Sequence, residues 1–322
     1  MKVFQIEKKM CSEFLLDAMK EFEVIAPVKK DLVRFEKINS PDNICLEQMP
    51  YFPVKEFFFK KHEVILKFDG KKFTAPAVVT TKKIFYGMRK CDLNGIHRQD
   101  LVFIHDAHDP YYTAERENSF LIGYHCDEAP SEYCFCGSMQ LIDFYDLMCY
   151  DKGEHYLVEV GSEKGDLLIE KFGKFFTSSN RLITPDEKKI KGADRLKVKN
   201  LNQLYEHPDW KKGVDLCLSC AACTNLCPTC YCFSFYDEIS TKNTSESERK
   251  RDWSSCQLPE FTRVAGDHVF RKDREQRFKH RIYHQLEYFR EKYGVDLCVG
   301  CGRCISGCPT RIDFVNIINE MK

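Results

Sequence analysis

The densest chemistry in this sequence is thiol chemistry. Eight of its 18 cysteines fall into two copies of one pattern, Cys217-x2-Cys220-x2-Cys223-x3-Cys227-Pro228 and Cys298-x2-Cys301-x2-Cys304-x3-Cys308-Pro309. This is the spacing of bacterial ferredoxins that carry 4Fe–4S clusters. Three thiolates at every third residue wrap one cubane along a tight loop, and the fourth lies beyond that cubane's reach and serves its neighbour. The expected ligand sets are Cys217, Cys220, Cys223 with Cys308, and Cys298, Cys301, Cys304 with Cys227. A zinc site would be satisfied by four ligands and would require neither the duplication nor both prolines. Cys217-x5-Cys223 with Cys304-x3-Cys308 also fits a loose sirohaem pattern, but the tighter pattern already uses those residues. Disulfide frameworks suit small secreted domains, and six cysteines crowded between Cys217 and Cys232 are poorly placed for separate bridges.

A second set, Cys91, Cys126, Cys134 and Cys136, is scattered, yet each member closes a strand-like run or sits in a turn. Loops at strand ends can converge, and four thiolates complete one more cubane; the alternative is ordinary buried cysteine, which packs as a small hydrophobe. Cys230, Cys232 and Cys256 lie in CPTCYC and WSSC. They are either three ligands of a further centre whose fourth donor is unidentified or redox-inert thiols packing a loop, and the inert reading is preferred. Cys11, Cys45 and Cys149 have no ligand-like context. The ten histidines show no metal-ligand spacing, and His105 and His108, near Asp106 and Asp109, read as a solvated turn.

The rest of the sequence excludes several classes. Lys+Arg and Asp+Glu both number 49, so the chain lacks the cationic footprint of a nucleic-acid binder. No apolar run approaches the ~18–20 residues of a membrane span, and the N-terminal stretch lacks a signal-peptide core, so the expectation is a cytoplasmic protein off the membrane. No G-x-G-x-x-G or Walker loop indicates a nucleotide site. No Ser/His/Asp arrangement stands out, and the paired C-x-x-C motifs of a nickel–iron active-site subunit are missing.

The elements that must position these thiols read as an α+β chain of 322 residues, about two domains by length. Residues 1–200 read as a mixed α/β domain. Its helices are expected at 12–22, capped by Ser12, and at 92–103; its strands at 23–28, 55–68, 77–86, 120–124 and 155–160. Phe57-Phe58-Phe59 reads as buried strand. Residues 178–200 are polar and read as a linker. Residues 201–322 read as a mostly helical, ferredoxin-like dicluster domain, interrupted by a charged helical insertion at 233–297. Within it Phe278, Ile282, Leu286 and Phe289 share one helical face, and the basic face is expected in solvent.

The chain resembles the iron–sulfur β subunit of cytoplasmic sulfhydrogenases and the similar iron–sulfur subunit of anaerobic sulfite reductase. The likeness is carried by Phe85-Tyr86-Gly87-Met88-Arg89-Lys90-Cys91-Asp92, Asp109-Pro110-Tyr111-Tyr112, Cys134-Phe135-Cys136, Cys227-Pro228-Thr229-Cys230-Tyr231-Cys232, Trp253-Ser254-Ser255-Cys256 and Cys298-Val299-Gly300-Cys301-Gly302-Arg303-Cys304. The family's Gly-Gly-His is Gly266-Asp267-His268 here. The resemblance implies a third cubane on Cys91, Cys126, Cys134 and Cys136. It also implies an anaerobic electron-transfer role between a flavin- and NAD(P)H-binding subunit and a catalytic subunit, either a nickel–iron sulfhydrogenase or a sirohaem sulfite reductase. No catalytic residue is expected in this chain. The rivals are a self-contained reductase with a substrate-binding cluster near Cys91, Cys126 and Cys134, a feeder of a heterodisulfide-reductase-type complex, and a redox sensor or scaffold.

Overall fold

A computed structural model describes residues 2–197 and 200–321; Val198 and Lys199, inside the segment read as a linker, lie outside the described residues. The strands of the two larger sheets, in chain order, are β1 (Val3–Glu7), β2 (Glu23–Lys29), β3 (Val33–Lys37), β4 (Glu63–Phe68), β5 (Phe73–Thr74), β6 (Lys83–Met88), β7 (Ser119–Tyr124), β8 (Leu147–Asp151), β9 (His155–Val160), β10 (Thr177–Ser179), β11 (Phe233–Ile239) and β12 (Ser247–Trp253). Eight of them form one sheet in the order β10-β1-β9-β8-β7-β6-β2-β3. Its centre, β2-β6-β7-β8, is parallel, and its flanks are antiparallel.

Central strands of a parallel sheet are buried on both faces and read as apolar runs. Here Phe85, Leu121 and Leu157 point into one core, with Phe58, Phe59, Leu93 and Phe103. Their neighbours Ile84, Tyr86, Ile122 and Val158 point into the other, with Phe14, Leu15, Ala18 and Phe172. The helix Lys8–Ala18 covers the second face and begins four residues before the expected cap: Ser12 lies inside it, because the apolar face already starts at Cys11. Phe58 and Phe59 are fully buried as expected, but directly after a short 3-10 turn, Val54–Phe57, and not in a strand. The helix Lys90–Asp100 runs on into a π-helical turn, Leu101–Asp106.

The C-terminal half is less helical than expected. The insertion opens as a hairpin, β11–β12, whose second strand pairs with β4 of the N-terminal half. Charge is what misleads here: Asp237 and Arg249 are cross-strand partners joined at 2.8 Å, and Arg251 is buried between Glu63 and Asp109. Only 274–293 of the insertion is a long helical stretch, Arg274–Tyr283 followed by a π turn and Phe289–Tyr293. Its Phe278, Ile282 and Leu286 join Trp210, Ile305, Val315 and Ile318 in a third core, and Phe289 packs into the first. Its basic face is not simply solvated, since Arg277 and Lys279 are buried. No helix among the described residues is long and apolar enough to cross a membrane.

Candidate iron–sulfur centres

Each ferredoxin-type run turns on two left-handed residues at matching positions, Ser219 and Ala221 in the first and Gly300 and Gly302 in the second. The turns curl the loops until their thiols face inward. In both, the amide two residues on donates to the first thiol at 3.4 Å, Ser219 to Cys217 and Gly300 to Cys298. The Cys-Pro-Thr ends also match: Thr229 hydroxyl meets Cys227 Sγ at 3.1 Å, and Thr310 hydroxyl meets Cys308 Sγ at 3.4 Å. Two copies of one loop thus face each other in pseudo-symmetry.

Between them lie two cavities. Cys217, Cys220, Cys223 and Cys308 line the first, of about 70 Å³, together with Gln257 and Arg281. Cys227, Cys298, Cys301 and Cys304 line the second, of about 20 Å³, together with Phe135, Arg281 and Gln285. These are the two crosswise sets that the spacing predicts; Cys304 also borders the first cavity. A single tetrahedral zinc would draw its thiolates to roughly 3.8 Å of one another, given Zn–S bonds of ~2.3 Å. Among the described residues no group of three or more Cys, His, Asp or Glu closes on a point in that way. The thiols instead ring a space, which suits a multi-iron core.

Arg281 lines both cavities and no carboxylate pairs with it among the described residues. Its Nη2 donates to the Cys223 carbonyl at 3.2 Å, and its Nε is buried with no hydrogen-bond partner. A buried guanidinium needs a counter-charge, and thiolate-ligated clusters on either side would supply it. Burial pushes the Cys223 thiol up to about 12 and raises Cys298 and Cys304. Bare Cys223, Cys298 and Cys304 hold their protons at neutral pH, so metal binding must drive them off, whereas the hydrogen bond from Cys230 lowers Cys227.

The second set also assembles. Cys91 opens the helix after β6, Cys126 follows β7, and Cys134 and Cys136 sit in the succeeding loop. Loops at the carboxyl ends of parallel strands are where such folds build their sites. Cys126 and Cys136 pack together with Leu141, and Leu141 also packs against Cys91 and Cys301. Burial pushes Cys134 up to about 11 and Cys136 up to about 12, and the charges of Cys126 and Cys301 act on both. The second ferredoxin-type loop docks directly here. Phe135 N–H donates to the Gly300 carbonyl at 2.7 Å, and the Cys134 thiol approaches the Cys301 carbonyl at 3.7 Å. A Cβ on Gly300 would lie 2.5 Å from Cys136 N, and one on Gly302 would lie 2.6 Å from the Tyr133 carbonyl. Beneath the contact, Arg303 forks onto Asp92 at 2.8 and 2.9 Å, both side chains fully buried, and reaches the Pro50 carbonyl at 2.8 Å.

Cys230 adjoins Cys227, which lines the second cavity, and Cys256 acts on Cys223, which lines the first. Cys230 hydrogen-bonds Cys227, and Cys232 hydrogen-bonds Cys256. Cys11 and Cys149 are buried in the second core, away from these loops, and Cys45 is half-buried. Asp106 is held by Lys292 and Tyr293, and Asp109 caps the helix Pro110–Glu117, so neither serves His105 or His108. The Gly266-Asp267 departure leaves Asp267 in the left-handed region, exposed, with open space around Gly266. Sequence reasoning missed Arg281, Gln257, Gln285 and the Asp92–Arg303 clamp. The one available signal was basic residues spaced among the buried positions of 274–293.

Comparison with known proteins agrees with this geometry. Residues 216–312 match the model of a 4Fe-4S dicluster domain. The chain is 32% identical to sulfhydrogenase 2 subunit beta of Pyrococcus furiosus, over all of this chain and 99% of that protein. It is 24% identical to the F420-dependent formate dehydrogenase subunit beta of Methanocaldococcus jannaschii, over 55% of this chain and 42% of that protein. With paired thiol-lined cavities inside the matched segment and a likeness running the whole length, the chain belongs to the sulfhydrogenase β-subunit family and is an iron–sulfur electron-transfer subunit of an oxidoreductase.

Proposed function

We propose that this chain is the relay between a flavin- and NAD(P)H-binding subunit and a catalytic subunit, a nickel–iron sulfhydrogenase or a sirohaem sulfite reductase. Cys217, Cys220, Cys223 and Cys308 would hold one 4Fe–4S cluster, and Cys298, Cys301, Cys304 and Cys227 a second. Cys91, Cys126, Cys134 and Cys136 would hold a third. Bound there, the clusters supply one-electron transfer, with potentials set by hydrogen bonds to sulfur, local charge and solvent exposure.

The observation that carries the reading is the contiguity of the three thiol groups. The first and second cavities share Arg281, and the second shares Cys301 and the Gly300–Phe135 contact with the third group. Cys220 is exposed and Leu216 and Leu218 beside it are exposed apolar residues, which makes the first cavity the partner-facing end. The residues of the chain hold and bias the centres. Arg281 offers positive charge to both ferredoxin-type sets, and the paired threonines and amides donate toward sulfur.

Anaerobically isolated protein tests this. The expectation is about 8–12 irons per chain, as two or three cubanes require, and no substrate turnover until partner subunits are added. Sulfite or proton reduction by the chain alone would overturn the proposal.

A further inference from the structure

The strand β11 ends its sheet with one side unpaired. The order is β11-β12-β4-β5, and β11 pairs with β12 alone. Just beyond its two ends, Ser240 N–H donates to the Glu246 carbonyl and Ser254 N–H to the Cys232 carbonyl, both at 2.9 Å. These bonds fix the alternation of the antiparallel ladder, so Ser234, Tyr236 and Glu238 turn their amides and carbonyls toward β12. Phe235, Asp237 and Ile239 turn theirs outward, where they meet no hydrogen-bond partner among the described residues. The other sheet edges are protected. β5 has two residues and β10 three, while β3 carries Arg34, Glu36 and Lys37, and its Val33 carbonyl accepts from Tyr51 N–H at 2.8 Å. Short, charged or covered edges are how sheets avoid unwanted pairing. β11 has seven residues, FSFYDEI, without proline, glycine or lysine.

Its apolar side chains are uncovered as well. Cross-strand pairing sets Ile239, Ser247, Phe68 and Phe73 in one row, on the face that also carries Phe235. Phe235, Ile239 and Phe73 are 55%, 62% and 71% exposed. Further along that face Arg251 packs on Phe59 and Phe103 of the first core, so the sheet is anchored at one end and overhangs at the other.

Charge selects the occupant. Asp237 and Glu238 stand on the outermost strand, one on each face, and their partners Arg249 and Lys250 stand one strand further in. The open edge is therefore acidic. A second copy of this chain, paired antiparallel along the whole strand, would bring its own Asp237 and Glu238 to the seam with no added cation, and like charges across strands oppose pairing. A strand that carries Lys or Arg meets no such opposition.

We infer that β11 is a docking edge: a partner subunit of the oxidoreductase adds a strand there, with a basic residue beside Asp237 or Glu238 and apolar residues beside Phe235 and Ile239. The outward N–H and C=O groups supply the main-chain bonds, and the side chains supply the selection. β11 begins one residue after Cys232, so the added strand docks next to the segment that leads out of the second cavity at Cys227. The inference rests on the reading that this chain is a relay between other subunits.

The test compares the complex purified anaerobically through this chain with the isolated chain, by hydrogen–deuterium exchange along 233–239. In the complex, exchange at Phe235, Asp237 and Ile239 is expected to slow at least about tenfold, because a hydrogen-bonded strand amide exchanges only on opening. Tyr236 and Glu238, already bonded to β12, are expected to change little. The double variant Asp237→Lys, Glu238→Lys reverses the charge of the edge, and Ile239→Pro removes an outward N–H that the chain's own sheet does not use. Both are expected to keep the iron content and melting temperature of the isolated chain. The charge reversal is expected to lower the yield of copurified partner at least about tenfold, as like-charge contacts at an interface do, and Ile239→Pro to act in the same direction. A complex in which the three amides exchange as in the isolated chain, or which both variants form as well as wild type does, would overturn the inference. Protection of the same amides in the isolated chain, together with its dimerisation, would overturn it in favour of a second copy. A wild-type chain that copurifies with no other subunit would instead sink the relay reading beneath it.

Discussion

Replacing Asp92 by Asn probes the joint between the second ferredoxin-type loop and the loops that gather Cys91, Cys134 and Cys136. Asp92 follows Cys91, and Arg303 lies between Cys301 and Cys304, so this one pair ties two thiol groups together. Both side chains are at most 1% exposed. Burial works against the Arg303 charge, and the facing Asp92 carboxylate more than offsets it, raising Arg303 above its ordinary value. Asn keeps the shape and one acceptor but removes the counter-charge. Breaking a buried pair from one side costs about 3–5 kcal/mol, against a total stability of roughly 5–15 kcal/mol for a domain. At about 2–4 °C per kcal/mol for domains of this size, the melting temperature should fall by about 6–20 °C. The assay is thermal denaturation of anaerobically purified protein followed by circular dichroism. The double change Asp92→Leu with Arg303→Met removes both charges and should recover most of the loss. An Asp92→Asn variant within about 1 kcal/mol of wild type, a third of the lower end of that penalty, would refute the claim that this carboxylate is the counter-ion of Arg303.

Gly300→Ala should dislodge the same joint from the other side, because the new methyl meets the Cys136 backbone and φ at this position is +66°. Loss of the third group's signal with the first cavity's signal intact, read by electron paramagnetic resonance, is the expected result. Trp210→Ala, fully buried against Phe278 and Tyr283, should cost about 3–5 kcal/mol in urea denaturation. Acid should destabilise the fold through His97 and His280, both lowered to about 4 by burial and then by neighbouring arginines. Between about 6.5 and about 4 the unfolded chain binds protons that the folded one does not, so stability present above pH 6.5 is lost as pH falls through that window. Melting temperatures measured across it should slope downward toward acid, and less steeply in a His97→Gln, His280→Gln variant.

The thiol sets were legible because their signal is local. Loop geometry is written in the spacing of Cys217 to Cys227 and Cys298 to Cys308, and the crosswise sharing proposed for them rests on reach alone. The four cysteines at 91–136 were legible only as strand-end residues; what brings them together is the parallel order β6-β7-β8, a non-local fact. Arg281 was not legible. Basic residues in RKDREQRFKHR read as a solvated helix face. The counter-charge proposed for the buried Arg281 is an inorganic core, which no residue type encodes. The hairpin Phe233–Ile239 and Ser247–Trp253 was hidden for a related reason. Its charges pair across strands, so the alternation that marks a strand is written in opposite charges and not in apolar residues. The helix of the insertion was read correctly along its apolar face, where Phe278, Ile282, Leu286 and Phe289 keep the 3.6-residue period.

The crosswise sharing of ligands between the two ferredoxin-type runs is the point on which the account stands. Spectra of Cys308→Ser and Cys227→Ser, set beside those of Cys220→Ser and Cys301→Ser in anaerobically purified protein, address it directly. The account predicts that Cys308→Ser perturbs the signal that Cys220→Ser perturbs, and that Cys227→Ser perturbs the one that responds to Cys301→Ser. Pairing of each fourth cysteine with its own run, or zinc in place of iron in the wild-type protein, would contradict it.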